Sequence, residues 1–550
     1  MSERPAAVRS SPSGPAPWLK DSLWTSLLIT TGLFILGSLT LVPYFQTNDD
    51  VMMQLLVKGL AVTGEPSASL NVMSPLAGGA LVWLYRHGPT LPWYGLWIYA
   101  VFFATQWGIW RFVLEGPHQV FRSTALLLVS PILFFYPFAR VQFTVVAGCA
   151  VMVGILLISA GEGVGGAGRR LHAGTLILLG FLVRSQECFL ILGVVPILAC
   201  LPSVRSAWKR IPPYYWMGLG GLILLAAFGG PVQNGPESAI ANTIYAQLTL
   251  HKAVRFDGET AGIFKGVGWS ENDWNTYRAW YYSDPVVHRL DKLEELNRRL
   301  PWNWRVKVGV ATGVFGNLSL QFLLAGSILA LLGIPRKVWP QVLLVGLWLV
   351  LLMMGASFIF KGSERVHLPW MAGLSLWAIG HLDPREGFWP SLGRGWIRWA
   401  WVPVVPFLMF GTVVLTRVHQ LNSHFIQYES NLQGSLDRLH PQPNQLYVVW
   451  GSAFPFENLR VFGGDRVLAG MNLACLNWIQ RFESTQRQLA RFGIHDVFRD
   501  IVDRKDVFLV LINEWPLYET YLREHDGLKV GYRVMQADDQ LTVVAVERRR

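Results

Sequence analysis

Charge is what this sequence has least of. Only 15% of its 550 residues are Asp, Glu, Lys or Arg, against 52% hydrophobic. A soluble globular chain carries about 25% charged residues. The deficit lies in long runs, which excludes an ordinary cytosolic enzyme, a disordered hub and a fibrous repeat protein. Cysteine is also scarce, with four in the chain. Cys149, Cys188 and Cys200 lie inside apolar runs and only Cys475 in a polar region, so neither a disulfide framework nor a CxxC metal site follows. No basic run interleaved with aromatics appears, so the net charge of +11 does not imply a nucleic-acid partner. No Gly-rich phosphate loop follows a strand, and His and acidic residues show neither zincin nor EF-hand spacing. The reading therefore includes no nucleotide, no cofactor and no dedicated metal cage. A divalent cation is left open, with no ligand spacing to support one.

What remains is a polytopic α-helical membrane protein. Apolar runs at 23–44, 72–85, 93–113, 142–160, 174–183, 189–201, 216–229, 306–332, 342–360, 368–379 and 401–415 read as about eleven spans by the ~20-residue rule. A further apolar segment, Ser123–Phe138, is short and holds Pro131 and Pro137. It reads as broken or re-entrant, which a membrane tolerates only where the segment lines a cavity. Residues 1–22 form a polar, Pro/Ser-rich tail. Arg4, Arg9 and Lys20 put that tail in the cytoplasm, and parity puts 45–71, 231–304 and 361–367 on the outer face. The expected domains are thus 1–22, the membrane domain 23–416 and an extracytoplasmic domain 417–550. In the last, LYVVW, VFLVLI, VGYRVM and LTVVAV read as strands, with helices at Trp478–Phe492 and Pro516–Glu524. The sum is an inner-membrane protein with a small C-terminal α/β domain.

Several residues stand out against this background. Asn48-Asp49-Asp50 follows the first span. Thr47 and Asp50 fit a capping box, and successive helical residues point about 100° apart. Asp50 is then the capping residue and Asp49 the one free to face a cavity. Lys361, Arg365 and His367 lie in the outer loop KGSERVHLP. Outer loops are poor in Lys and Arg, so a basic cluster there suits a lipid phosphate. Arg184 and Glu187, in RSQE, and Arg140, after YPFA, sit at membrane depth, where ionisable groups are costly. Arg184 with Glu187 at i,i+3 also fits a plain ion pair. In the outer segment 231–304, Trp269 and its aromatic neighbours offer a flat face to a sugar ring, or an interfacial anchor.

With TNDD at the outer end of the first span, the adjoining outer loop, the broken segment near YPFARVQF and the KGSERVHLP loop, the chain resembles the GT-C class of membrane glycosyltransferases. The run from NDD through VKGLAVTGEPSASLN to SPLAGGALVWLYRHGP is similar to a bacterial branch of that class. A WWDYG-like motif is absent, and SPLAGG stands near the place of the PPL-type motif. The resemblance implies a donor sugar on a polyprenyl phosphate, a membrane-lipid environment and an acceptor that is a glycan, a lipid or a protein. It implies Asp49, with Asp50 as the alternative, as base. Lys361 and Arg365 would hold the donor phosphate, assisted by Arg184 or Arg140, with His367, Glu187 and Trp269 lining the sugar or acceptor cavity. The contrasting expectation is a lipid or glycan transporter or a non-catalytic membrane subunit.

Overall fold

In the computed structural model, residues 22–70, 72–160, 166–228, 236–313, 316–359, 364–383 and 396–549 are described. Lys361 lies outside them. The chain first forms α1 (Ser22–Thr40), strand β1 (Tyr44–Phe45) and α2 (Asn48–Lys58). Gly59 closes α2 at φ +70°, and a Cβ there would meet the Pro66 backbone nitrogen at 2.4 Å. Only glycine satisfies both the left-handed turn and that approach. Next come α3 (Pro75–His87), α4 (Trp93–Leu114), α5 (Gln119–Ser130), a π-helical turn (Pro131–Phe135) and α6 (Tyr136–Ala139).

The short apolar run and the broken one differ in the length of helix that they form. α3 has 13 residues, about 20 Å of helix against a hydrocarbon core of about 30 Å. Its first turn is tied to Leu182, whose carbonyl accepts from Ser74 N (3.1 Å). Near its last turn, Tyr85 Oη accepts from Tyr94 N (3.1 Å). Tyr94 in turn donates to Asp50, and Leu182 precedes Arg184. Both ends of α3 therefore lie at the acidic-pair end of the bundle. By contrast, Gln119–Ala139 is a continuous apolar path of 21 residues, long enough to cross. Prolines at 131 and 137 remove backbone donors. The Leu133 carbonyl, which Pro137 leaves without its helical donor, accepts from Gln106 Nε2 of α4 (2.7 Å), and the Phe138 carbonyl at the end of α6 accepts from Tyr99 Oη of α4 (2.5 Å). Strand β2 (Arg140–Val141) follows and pairs in parallel with β1, Tyr44 opposite Arg140. The TNDD and YPFARVQF motifs are thus held side by side.

Helix α7 (Phe143–Ser159) is buried on nearly every side, as a helix apolar all round must be. Gln142 caps it, its Oε1 accepting from Val145 N (3.0 Å). α8 (Gly166–Leu192) packs along α7 and breaks at Arg184 (φ −159°, ψ 97°), the turn expected at RSQE. Helices α9 (Val195–Cys200), α10 (Pro202–Lys209) and α11 (Pro213–Phe228) follow. Ser159, Arg169 and Ser203 line one cavity at the end of the bundle opposite Asp50.

Residues 236–313 form α12 (Pro236–Ala246), α13 (Ala261–Gly266), α14 (Glu271–Arg278), α15 (Leu290–Arg299) and α16 (Trp304–Gly313). The chain re-enters the bundle through α17 (Leu318–Leu331), α18 (Trp339–Ile359) and α19 (Glu364–Gly380). α20 (Trp396–Leu439) runs unbroken for 44 residues, about 66 Å. The boundary expected at 416/417 falls inside it, and its second half projects beyond the membrane-length portion. In all, five helical segments among the described residues are long and apolar enough to cross a membrane.

The C-terminal sheet contains β3 (Leu446–Trp450), β4 (Asn472–Leu476), β5 (Val507–Val510), β6 (Val530–Ala537) and β7 (Thr542–Arg548), in the order β4-β3-β5-β7-β6. The first three pair in parallel, and β7 and β6 close the edge antiparallel. β4 escapes a reading by β-propensity because NLACL offers little of it. Helices α21 (Glu483–Arg491) and α22 (Trp515–Asp526) complete the unit. Along β3, Leu446, Val448 and Trp450 join the core built with α12–α15, while Tyr447 and Val449 join the core of the membrane helices. Successive strand residues face opposite sides, so the sheet is sandwiched. Residues 236–304 are part of this unit, and its other cover includes α2.

Candidate functional site

The two aspartates of α2 occupy different environments, as their 100° separation requires. Asp50 is fully buried. Its Oδ2 accepts from Thr47 Oγ1 (2.9 Å), and its Oδ1 accepts from Tyr94 Oη (3.1 Å) and Phe143 N (3.3 Å). Thr47 does not cap the α2 backbone with its side chain, so the capping box expected there is not formed. The hydroxyl is spent on the Asp50 carboxylate instead, and Asp50 also meets the first N–H of α7. Burial pushes the Asp50 carboxyl above its usual range, and the neighbouring Asp49 adds to the rise. The bonds from Thr47, Tyr94 and Phe143 offset part of it.

Asp49 keeps 40% of its side chain exposed, and its Oδ2 lies 3.8 Å from Arg365 Nη1, itself 28% exposed. Its Oδ1 accepts from Trp478 Nε1 (3.1 Å), an indole just past the end of β4. The base candidate is thus held between the membrane bundle and the C-terminal sheet. Arg184, half-buried at the α8 break, donates to Thr144 Oγ1 and stacks over Phe143 at 5.1 Å. Its charged neighbours are Glu187, Arg365, Asp49 and Asp50. The plain Arg184–Glu187 pair is not made, because the break destroys the i,i+3 geometry. Glu187 is buried, and its Oε1 has no hydrogen-bond partner.

Arg140 lies on another side of Asp50. Its Nη2 donates to Gln46 O (3.2 Å), and its guanidinium covers Phe425 at 3.6 Å. Its titratable neighbours are Tyr136, Glu457, Asp50 and Tyr44, a set that shares only Asp50 with that of Arg184.

Two expected cavity residues are elsewhere. His367 is fully buried in the bundle and bonded through Nε2 to Ser357 Oγ (2.7 Å). It follows Arg365 by two positions on α19, about 200° around the helix, so the two cannot share a cleft. Trp269 is buried in the core around α13–α15, its Nε1 donating to Val287 O (2.9 Å). No face of the indole is left for a sugar ring. Conversely, Trp478, Tyr94 and Glu457 join the site without having been singled out. Trp478 carries no local signal, since it reaches Asp49 only through the fold.

Among the described residues one group has ligand atoms close enough for a metal ion: Asp273, Glu524 and His525. It lies on the face of the sheet away from α2, and Asp273 is already bonded to His525 Nε2 (2.6 Å) and Ser270 N (2.8 Å).

No family model matches the chain, and no curated protein matches it. Among solved structures, that of ArnT from Cupriavidus metallidurans bound to undecaprenyl phosphate is similar to it over 95% of this chain and 97% of that one, with 12% identity and a TM-score of 0.43.

Proposed function

We propose that this chain is a membrane glycosyltransferase that moves a sugar from a polyprenyl-phosphate donor to an acceptor hydroxyl at the Asp49 end of the bundle. The observation that carries the reading is the Asp49–Arg365 pair, half-open at 3.8 Å, beside a fully buried Asp50. A transfer of this kind requires a base and a cation within one sugar's reach. Asp49 takes the proton of the acceptor hydroxyl as its oxygen bonds to the anomeric carbon. The bond from that carbon to the phosphate oxygen breaks, and the electron pair leaves with the phosphate. Arg365, with the half-buried charge of Arg184 behind it, stabilises the negative charge that develops there. Attack opposite the leaving phosphate inverts the anomeric centre. No nucleotide is needed, because the donor is already activated.

The charge distribution supports an outer-face site. The opposite end of the bundle carries Arg111, Arg122 and Arg169, and α10 adds Arg205 and Lys209, the bias found on cytoplasmic loops. In this topology α5–α6 crosses and α3 lies along the outer interface, for a total of about eleven passes.

The test is cell-free transfer by the purified chain with a pool of polyprenyl-phosphate sugars. Asp49→Asn is expected to lose activity by ~10²-fold or more while retaining donor binding. A fully active Asp49→Asn enzyme overturns the assignment. A wild-type chain that moves lipid across vesicles without bond cleavage favours the transporter.

A further inference from the structure

A second concavity opens beside the first turn of α2, with a volume of about 640 Å3. Thr47 and Asn48 line it on the membrane side together with Arg140. On the other side stand Ser452 and Ala453, just after β3, Leu511 and Ile512, just after β5, and Asp538–Thr542 at the β6–β7 turn. The cleft therefore lies at the carboxyl ends of parallel strands. From β3 the chain goes to β4 on one flank and to β5 on the other, so the gap between β3 and β5 is the topological switch point of the sheet. Open α/β sheets bind ligands at that place.

Two charged side chains at this cleft have unfilled valences. Arg140 Nη1 is a buried donor and Glu457 Oε2 a buried acceptor, and neither has a partner. The two groups are electrostatic neighbours yet form no ion pair. A buried orphan of this kind costs free energy unless something completes it. A hydroxyl suits the gap, because it accepts from a guanidinium and donates to a carboxylate at once, each bond strengthening the other. A phosphate would repel Glu457, and an ammonium would repel Arg140. The requirement is thus for a neutral, hydroxyl-rich ligand. Glu457 N also donates to Asn48 Oδ1 (2.9 Å), which ties this wall of the cleft to the residue preceding Asp49.

We infer that this cleft is the acceptor subsite and that the acceptor presents a saccharide there, Arg140 and Glu457 clasping one of its hydroxyls. The inference rests on the transferase reading for which of the two substrates the cleft takes. An in-line displacement brings acceptor and leaving phosphate from opposite sides. Arg365 and Arg184 lie on one side of the α2 first turn, and Arg140 and Glu457 on another. Arg140 accordingly serves the acceptor and not the donor phosphate.

The experiment uses the purified full chain in detergent on a glycan array that also displays phospholipid and peptide probes, alongside transfer and slow hydrolysis of a radiolabelled polyprenyl-phosphate sugar. Wild-type protein is expected to bind saccharide probes. Glu457→Gln and Arg140→Gln should weaken that binding at least tenfold. Ser452→Trp, which fills the cleft from an exposed position, should do the same. If the charge variants fail to fold, Ser452→Trp decides alone. Saccharide binding indifferent to Ser452→Trp, absence of any saccharide binding, or binding of lipid or peptide probes only, overturns the proposal. Saccharide binding lost in the variants, with no donor turnover by wild type, leaves the cleft assigned and removes the transferase reading instead.

Discussion

Asp49 and Asp50 are chemically identical neighbours with different work, and the difference is one of surroundings. Asp50 is enclosed by Thr47, Tyr94 and the start of α7. In Asp50→Asn the remaining oxygen keeps the Tyr94 and Phe143 bonds, and the new amide donates to Thr47. Stability should change by less than about 1 kcal/mol, whereas Asp50→Ala strands buried donors and should cost about 3 kcal/mol. Sign follows from linkage. Because the folded protein raises this carboxyl above its unfolded value, the folded state binds the proton more tightly. The wild type should then lose stability as pH rises from the ordinary carboxylate range through the raised value, and Asp50→Asn should flatten that slope. Thermal unfolding in detergent across pH measures it. Arg365 is a different case. It is partly exposed and its pair with Asp49 is loose, so Arg365→Ala should change stability by less than about 1 kcal/mol. It should instead raise the apparent KM for the lipid donor roughly tenfold, with partial recovery in Arg365→Lys, since an ammonium cannot make the two-pronged phosphate contact. An unchanged donor KM in both variants takes Arg365 out of the site.

At the scale of elements, helix length decides between two readings of the same apolar composition. α3 is apolar enough to suggest a span but has only 13 residues, and its two ends are tied to Leu182 and Tyr94. The segment from α5 to α6 carries two prolines, yet Gln106 satisfies the Leu133 carbonyl that Pro137 frees, and Tyr99 the Phe138 carbonyl at the end of α6. A labelling experiment separates the alternatives. Arg86 is exposed at the end of α3. In a background without the four native cysteines, Arg86→Cys should react in intact cells with a membrane-impermeant maleimide. If α3 were a crossing, the same cysteine would be cytoplasmic and protected.

At the scale of the whole molecule, the membrane bundle and the α/β unit share the site. Lys58 at the end of α2 pairs with Asp465 (2.7 Å). Glu429 on the projecting half of α20 holds Tyr44 Oη (3.0 Å) and Arg460 (2.8 Å). Trp478 then reaches Asp49 from the sheet. This docking requires the C-terminal unit on the same side of the membrane as Asp49. An alkaline phosphatase fused to the C-terminus should be active and a green fluorescent fusion dark. The reverse pattern would put the acidic pair in the cytoplasm and remove the lipid-donor mechanism with it.

Composition and periodicity by themselves determined that this chain is a helical membrane protein ending in an α/β unit, because apolar runs and alternating strands are local properties of the sequence. Four of the five strands of that unit, the break at Arg184 and the separate directions of Asp49 and Asp50 were legible for the same reason: each follows from neighbours within a few residues. Tertiary structure alone decided the rest. It tied the two ends of α3 to Leu182 and Tyr94 and made 119–139 a continuous apolar path, since that depends on where distant partners anchor the ends. It buried Trp269 and His367, which are aromatic and polar enough to look available until their packing is known. It also brought Trp478 to Asp49 and Glu457 to Arg140 across more than 300 positions of sequence, and no local pattern encodes a contact whose two halves meet only when the sheet docks on the bundle.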